Sequence, residues 1–371
     1  MTPWSVVKDR PQDPARRIRP FRFAAGALAA LVVLSLGFAL IPAQEPAPSE
    51  PPFSERARAA AFTEALNLRS AGMRLAAAGA TDPGVLDRVV TLLTIQARAL
   101  QTQAPPAAVP AVSASAAATA DPPGIAELVH GLAESGSARV KDAETADGGM
   151  ARLLAGAGTA QLLAAGRLAA AAGVPAPQGA AAEPDKDGSG ADSSASPCVA
   201  TPSGSAAPAG ARAGASSTIQ QALAAVVAVE QQAIYGYQAA LPRLTPAEAG
   251  PASEILGRHE ELAAAAEERL RLDCGASAPQ QPGYVLDGGF LAAPAAGLGK
   301  LEAATLASYG DAVAVTQGQD RAWALSGLQS AAGRAARWGA DPGPVPGLAL
   351  DVDQLPALAD GAGPGPSPAG S

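Results

Sequence analysis

Three side chains capable of chemistry stand where an apolar residue is expected. Around Glu230, the residues Ile219, Leu223, Val226, Ile234, Tyr237 and Leu241 recur at steps of three and four, the spacing of one helix face, so the acid at 230 points inward. His259 falls in the same way within the run Ile255, Leu262, Ala266 and Leu270, and Glu302 within Leu298, Leu306, Tyr309 and Val313. Two chemistries fit an imidazole and two acids on three inward faces. They could hold a divalent ion such as iron, manganese or zinc, with ligands reaching in from facing helices of a bundle. Alternatively, Glu230 and His259 form a buried charge-assisted hydrogen bond, joined by Tyr235 or Tyr237, which fixes the register of an alanine-rich core. A third reading is a misjudged register, which would turn all three side chains to solvent. Beyond a divalent metal, no cofactor is specified.

The elements that must position these residues are four helices over 217–346. A break at Pro242 ends the first. Thr245-Pro246-Ala247-Glu248 then supplies a capping side chain, a proline at the first helical position and a glutamate that reaches back to the cap, so a second helix starts there. The short connection makes the two antiparallel neighbours and lets Glu230 approach His259. Two further helices are expected at about 295–315 and 317–338, the second carrying Leu325, Leu328, Ala332 and then Trp338. The loop of about twenty residues between the pairs is too long for a turn and suits a crossover along a bundle.

Most catalytic signatures are absent. The chain has no phosphate-cradling glycine loop ending in Lys-Ser/Thr, no nucleophile elbow, no paired histidines four apart and no Cys-x-x-Cys. With His130 and His259 the only histidines, a three-histidine metal site within one chain is impossible. His130, between Val129 and Gly131, lies off the apolar register and reads as a surface residue. No catalytic residue is assigned, and an enzyme is not the favoured reading.

The stretch Val229-Glu230-Gln231-Gln232-Ala233-Ile234-Tyr235-Gly236-Tyr237, the segment His259-Glu260-Glu261 and Leu301-Glu302 together resemble the ferritin-like superfamily. They are most similar to an actinobacterial extracytoplasmic branch of it without an established function. Trp338 to Pro346 is similar to the tail of that branch, and the resemblance spans roughly 216–350. It implies a ferritin-like four-helix bundle in which Glu230 and Glu302 stand for the first glutamate of each half. The second helix of each half departs from the di-iron pattern. Leu256, not a carboxylate, stands three residues before His259, and the fourth helix offers only Asp320. The resemblance therefore does not imply a complete di-iron site, nor oxidase, peroxidase or iron-storage activity.

The 371 residues suffice for two domains, and with aromatics at 4% and charged residues at 16% their cores must be alanine-rich and closely spaced. Residues 1–22 form a basic segment with Lys8, Arg10, Arg16, Arg17, Arg19 and Arg22. The uncharged run 23–41 behind it is long enough to cross the roughly 30 Å hydrocarbon core. The basic flank predicts a single-pass anchor with the rest outside the cell membrane. A cleavable signal peptide, leaving a secreted protein, is the competing reading, although the apolar run exceeds the usual ~7–15 residues. Beyond the span, 20 basic residues face 32 acidic ones, a net of −12. That sign argues against nucleic acid or anionic lipid as partners.

The only two cysteines, Cys198 and Cys274, fall on the oxidising side, where a disulfide is the default, and an antiparallel hairpin brings their positions together. Helices expected at 53–78, from Pro83 to about Gln103, from the Asp121-Pro122 cap, and from Met150 to the stop at Gly173 make a first bundle at 53–174. A flexible linker is expected over 175–216 and a disordered tail over 347–371. The expectation is thus an all-α protein, with an N-terminal transmembrane helix and two four-helix bundles, the second ferritin-like. It would be a membrane-anchored extracytoplasmic binding or scaffold protein, with a protein partner or homo-oligomer in prospect. The alternative is a metal-binding ferritin-like protein with oxidoreductase activity.

Overall fold

The computed structural model describes residues 50–79, 81–101, 124–177 and 210–358. Every regular element among them is helical, as the periodicities require: α1 (Phe53–Ala77), α2 (Pro83–Leu100), α3 (Ile125–Thr145), α4 (Gly148–Ala172), α5 (Gly210–Ala240), α6 (Pro246–Leu272), α7 (Gly288–Ala292), α8 (Pro294–Val315) and α9 (Gly318–Arg337), with single 3₁₀ turns at Leu241–Arg243 and Val352–Gln354. Local chemistry sets several boundaries. Asp82 accepts a hydrogen bond from Gly84 N at 2.9 Å and Pro83 opens α2. Thr245 N donates to Glu248 Oε2 at 3.0 Å as α6 begins at Pro246, the anticipated capping arrangement. Gly173, at φ 66°, ends α4 in the left-handed conformation that glycine adopts without a Cβ penalty.

The first four helices form two antiparallel hairpins, α1–α2 and α3–α4, which close over a core of Leu86, Leu93, Leu128, Leu132 and Leu168. Their axes come close because small residues meet. A Cβ on Gly136 would lie 2.9 Å from the Gly158 carbonyl oxygen, and one on Gly158 would lie 2.6 Å from the Gly136 carbonyl oxygen. The pairs α5–α6 and α8–α9 make the second group, with α5 packed on α8.

The two groups do not stand apart as separate domains. Ala143, Leu154 and Ala155 of α3 and α4 share one core cluster with Tyr309, Ala312, Val313, Leu325 and Leu328 of α8 and α9, and the described residues from Pro52 onward form a single compact unit. Arg321 pins the junction: its Nε donates to Thr316 O at 2.7 Å and its Nη1 to Ala146 O at 2.6 Å, the latter carbonyl lying between α3 and α4.

Three expectations are corrected. α5 begins at Gly210, inside the stretch read as linker up to 216, because Ala and Ser there continue the helix without a break; 178–209 lie outside the described residues. The crossover between the pairs contains a short helix, α7, capped by Asp287, whose Oδ1 accepts from Phe290 N at 2.6 Å. Residues 347–358 of the expected disordered tail pack on the helices. Gln96 Nε2 holds Pro344 O at 2.9 Å, Arg152 Nε holds Gly347 O at 2.6 Å, and the Arg98 guanidinium holds the carbonyls of Val352, Leu355 and Pro356 at 2.6–3.0 Å.

The basic segment 1–22, the span 23–41, the Asp121-Pro122 cap, Cys198 and the tail from 359 lie outside the described residues, and with Cys198 the expected bond to Cys274. Among the described residues α4 is long and apolar enough to cross a membrane, but most of it is buried in the core.

Candidate functional site

Glu230, His259 and Glu302 converge. Each is fully buried, and each arrives on the helix face expected of it: α5 buries Leu223, Val226 and Tyr237 with Glu230, α6 buries Leu262, Ala266 and Leu270 with His259, and α8 buries Leu298, Leu306, Tyr309 and Val313 with Glu302. The imidazole lies between the two acids. His259 Nδ1 is 2.6 Å from Glu230 Oε2, and Nε2 is 2.9 Å from Glu302 Oε1.

Four more side chains complete the cluster. Tyr309 donates its hydroxyl to Glu230 Oε1 at 2.7 Å, Tyr237 donates to Glu302 Oε1 at 2.6 Å, and Trp338 Nε1 donates to the Tyr237 oxygen at 2.6 Å. Arg334, on α9, donates through Nε to Glu302 Oε2 at 2.9 Å and through Nη1 to Ser330 Oγ at 2.8 Å. The network therefore joins α5, α6, α8, α9 and the first residue beyond α9.

The geometry sets the protonation state. A neutral imidazole has one donor and one acceptor nitrogen, so it would aim a lone pair at one carboxylate; the imidazolium donates to both. Burial by itself opposes a charged ring, but the hydrogen bonds and charges of Glu230 and Glu302 outweigh it and raise the His259 pKa. Burial also opposes the Glu302 carboxylate, yet Arg334 and then His259 pull its pKa down. Burial and the adjacent acids push both tyrosine hydroxyls upward, so they stay protonated donors. Two acidic side chains, Glu230 and Glu302, thus face two basic ones, His259 and Arg334.

A metal ion fits this arrangement poorly. The two carboxylates sit at opposite edges of the imidazole ring, whereas one ion can take only one ring nitrogen together with acids on that same side. The cluster atom that is buried without a partner among the described residues is Arg334 Nη2, a donor, where a cation would need an acceptor. The other acids near the expected ligand positions point elsewhere: Glu254 and Glu260 are exposed, and Asp320 pairs with Arg269 at 3.3 Å. Neither of two cavities of 490 and 400 Å³ is lined by any residue of the cluster.

His130 lies at the surface, 3.1 Å from Glu134. Tyr235 is not part of the cluster and packs against Tyr284, the rings tilted at 56° with centroids 5.6 Å apart. Arg334 was missed in the sequence because an arginine in the last turn of a helix reads as a solvated partner of the helix dipole. A signal for Tyr309 was present: a tyrosine on an inward face needs an acceptor for its hydroxyl.

Fold and site define an all-α protein whose second helical group encloses a buried cluster of acidic and basic side chains. Residues 222–350, from early α5 into the tail, match a family described as a domain of unknown function, DUF4439. No curated protein and no solved structure matches the chain.

Proposed function

We propose that the chain is a membrane-anchored extracytoplasmic protein serving as a helical binding or scaffold module, with α5–α9 forming a ferritin-like bundle whose core is neutralised internally. The observation that carries this reading is His259 held between Glu230 and Glu302, with Arg334 supplying the second positive charge. In a core built largely of alanine and glycine, side-chain shape alone specifies helix register weakly. A cluster that sets both ring nitrogens and both carboxylates opposite partners on other helices favours one register. The ferritin-like assignment draws support from two helix pairs joined by a crossover and from one inward glutamate in each pair. The anchor rests on the basic segment and the apolar run 23–41, and the Cys198–Cys274 disulfide on the two-cysteine count in an oxidising compartment.

Elemental analysis of the full-length chain, purified without a histidine tag, tests the core of this reading. Metal-free protein whose helicity is unchanged by chelator is the expected result. The second reading, a metal-binding ferritin-like protein with oxidoreductase activity, has in its favour the convergence of all three candidate ligands. Stoichiometric iron, manganese or zinc that disappears in His259→Ala would install it in place of the first. Protease digestion of intact cells tests the topology: cleavage of the part beyond residue 52 is expected, and protection of it would remove the extracytoplasmic assignment.

A further inference from the structure

Away from the ionic cluster, α2 and α4 enclose a trench of 490 Å³, within the range of about 300–1,000 Å³ usual for small-molecule sites. Val85, Val89, Leu92 and Ile95 form one wall, and Leu163 and Ala164 belong to the other. The α2 wall runs ten residues, about 15 Å at the helical rise. One end is closed by the segment reaching Pro344, which the Gln96 amide clamps by its carbonyl at 2.9 Å.

The polar residues of the trench are placed by helix direction. α2 runs antiparallel to α1, since Arg69 bonds Thr94 and Gly72 faces Val90. α1 runs antiparallel to α3, since Gly72 also faces Leu128 and Leu68 faces Gly131. α3 and α4 form an antiparallel hairpin, so α2 and α4 are antiparallel as well. Gln96 meets Ala157 and Gln161. Stepping eight residues back along α2 and about the same distance forward along α4 brings Arg88 and Arg167 to the same level on opposite walls, toward the end away from the clamp. Both line the trench, and both are exposed. Two acids also reach its rim. Asp341 Oδ1 accepts from Gly343 N at 3.0 Å, and Asp87 is set about 100° around the helix from Arg88.

We infer that this trench binds one medium-chain carboxylic acid, its alkyl chain laid along the α2–α4 floor and its carboxylate between Arg88 and Arg167. Paired guanidinium forks match a carboxylate in charge and shape, and the volume takes a single alkyl chain, which disfavours two-chain phospholipids. The inference is independent of how the ionic cluster functions, because no cluster residue lines the trench.

The test uses the full-length chain in phosphatidylcholine nanodiscs, exposed to a diazirine-bearing decanoic acid, irradiated and digested for mass spectrometry. Label concentrated on peptides carrying residues 85–95 and 160–171 is expected, suppressed by decanoate and not by methyl decanoate. The double variant Arg88→Gln/Arg167→Gln, which alters only exposed side chains, should cut that labelling at least ten-fold at unchanged helicity. Leu92→Glu, which puts a charge on the floor, should do the same. Label absent from these peptides, equal competition by the methyl ester, or undiminished labelling of the double variant would overturn the inference. Failure here would leave the metal analysis of the ionic cluster untouched.

Discussion

His259 is the position where the most can be read from one side chain. Its ring is fully buried and both nitrogens meet acids, so removing it leaves Glu230 and Glu302 with one internal cation between them. Breaking a buried ion pair by deleting one partner costs about 3–5 kcal/mol, and His259→Ala is expected to lose that much in chemical denaturation, whereas His130→Ala should stay within about 0.5 kcal/mol. The pH dependence follows from the two displaced pKa values. His259 is raised from its ordinary 6.5, so its contribution is complete below 6.5 and is lost as pH climbs through the higher folded-state value. Glu302 is lowered from 4.5, so its contribution is complete above 4.5 and is lost as pH falls through the lower folded-state value. Melting temperature should therefore form a plateau between about pH 4.5 and 6.5 and decline on both sides. The alkaline decline should flatten in His259→Gln; matching alkaline limbs in variant and parent would contradict the imidazolium.

At the scale of elements, helices approach where side chains are missing, and glycines make opposite predictions according to what surrounds them. A Cβ at Gly156 of α4 would fall 2.5 Å from Val345 Cγ1 and 2.6 Å from the Pro346 carbonyl oxygen, so Gly156→Ala should cost about 1–3 kcal/mol by prying the tail from α4. Gly257, inside α6, has nothing within 4 Å of the same position, and Gly257→Ala should stabilise by about 0.5–1 kcal/mol. Denaturation midpoints of the two variants, moving in opposite directions, check both. The inward faces of α5, α6 and α8 were legible because Leu, Val, Tyr and Ile mark them at regular steps. The ionic cluster was legible only in part: acids and a histidine on apolar faces stand out, but an arginine at a helix end does not. The start of α5 was hidden because alanine, serine and glycine suit helix and linker alike, and α7 because five residues carry no period. The shared core of α3, α4, α8 and α9 was hidden as well, since alanine-rich faces look the same whichever partner covers them.

For the whole molecule, that shared core predicts how the chain melts. Trp323 and Trp338 belong to the second helical group and the third tryptophan, Trp4, lies outside the described residues, so in Trp4→Phe the fluorescence follows that group, while circular dichroism reports all helices. Tryptophan fluorescence and ellipticity should give superimposable unfolding curves, the signature of one cooperative transition, and two resolved steps would mean that the groups unfold separately. The clasp formed by residues 344–356 on Gln96, Arg98 and Arg152 carries a consequence for biogenesis. Chains are synthesised from the N-terminus, so α2 and α4 leave the ribosome more than 150 residues before the segment that seals them. The earliest helices must wait, with their final contacts unmade, until residues 344–356 have emerged.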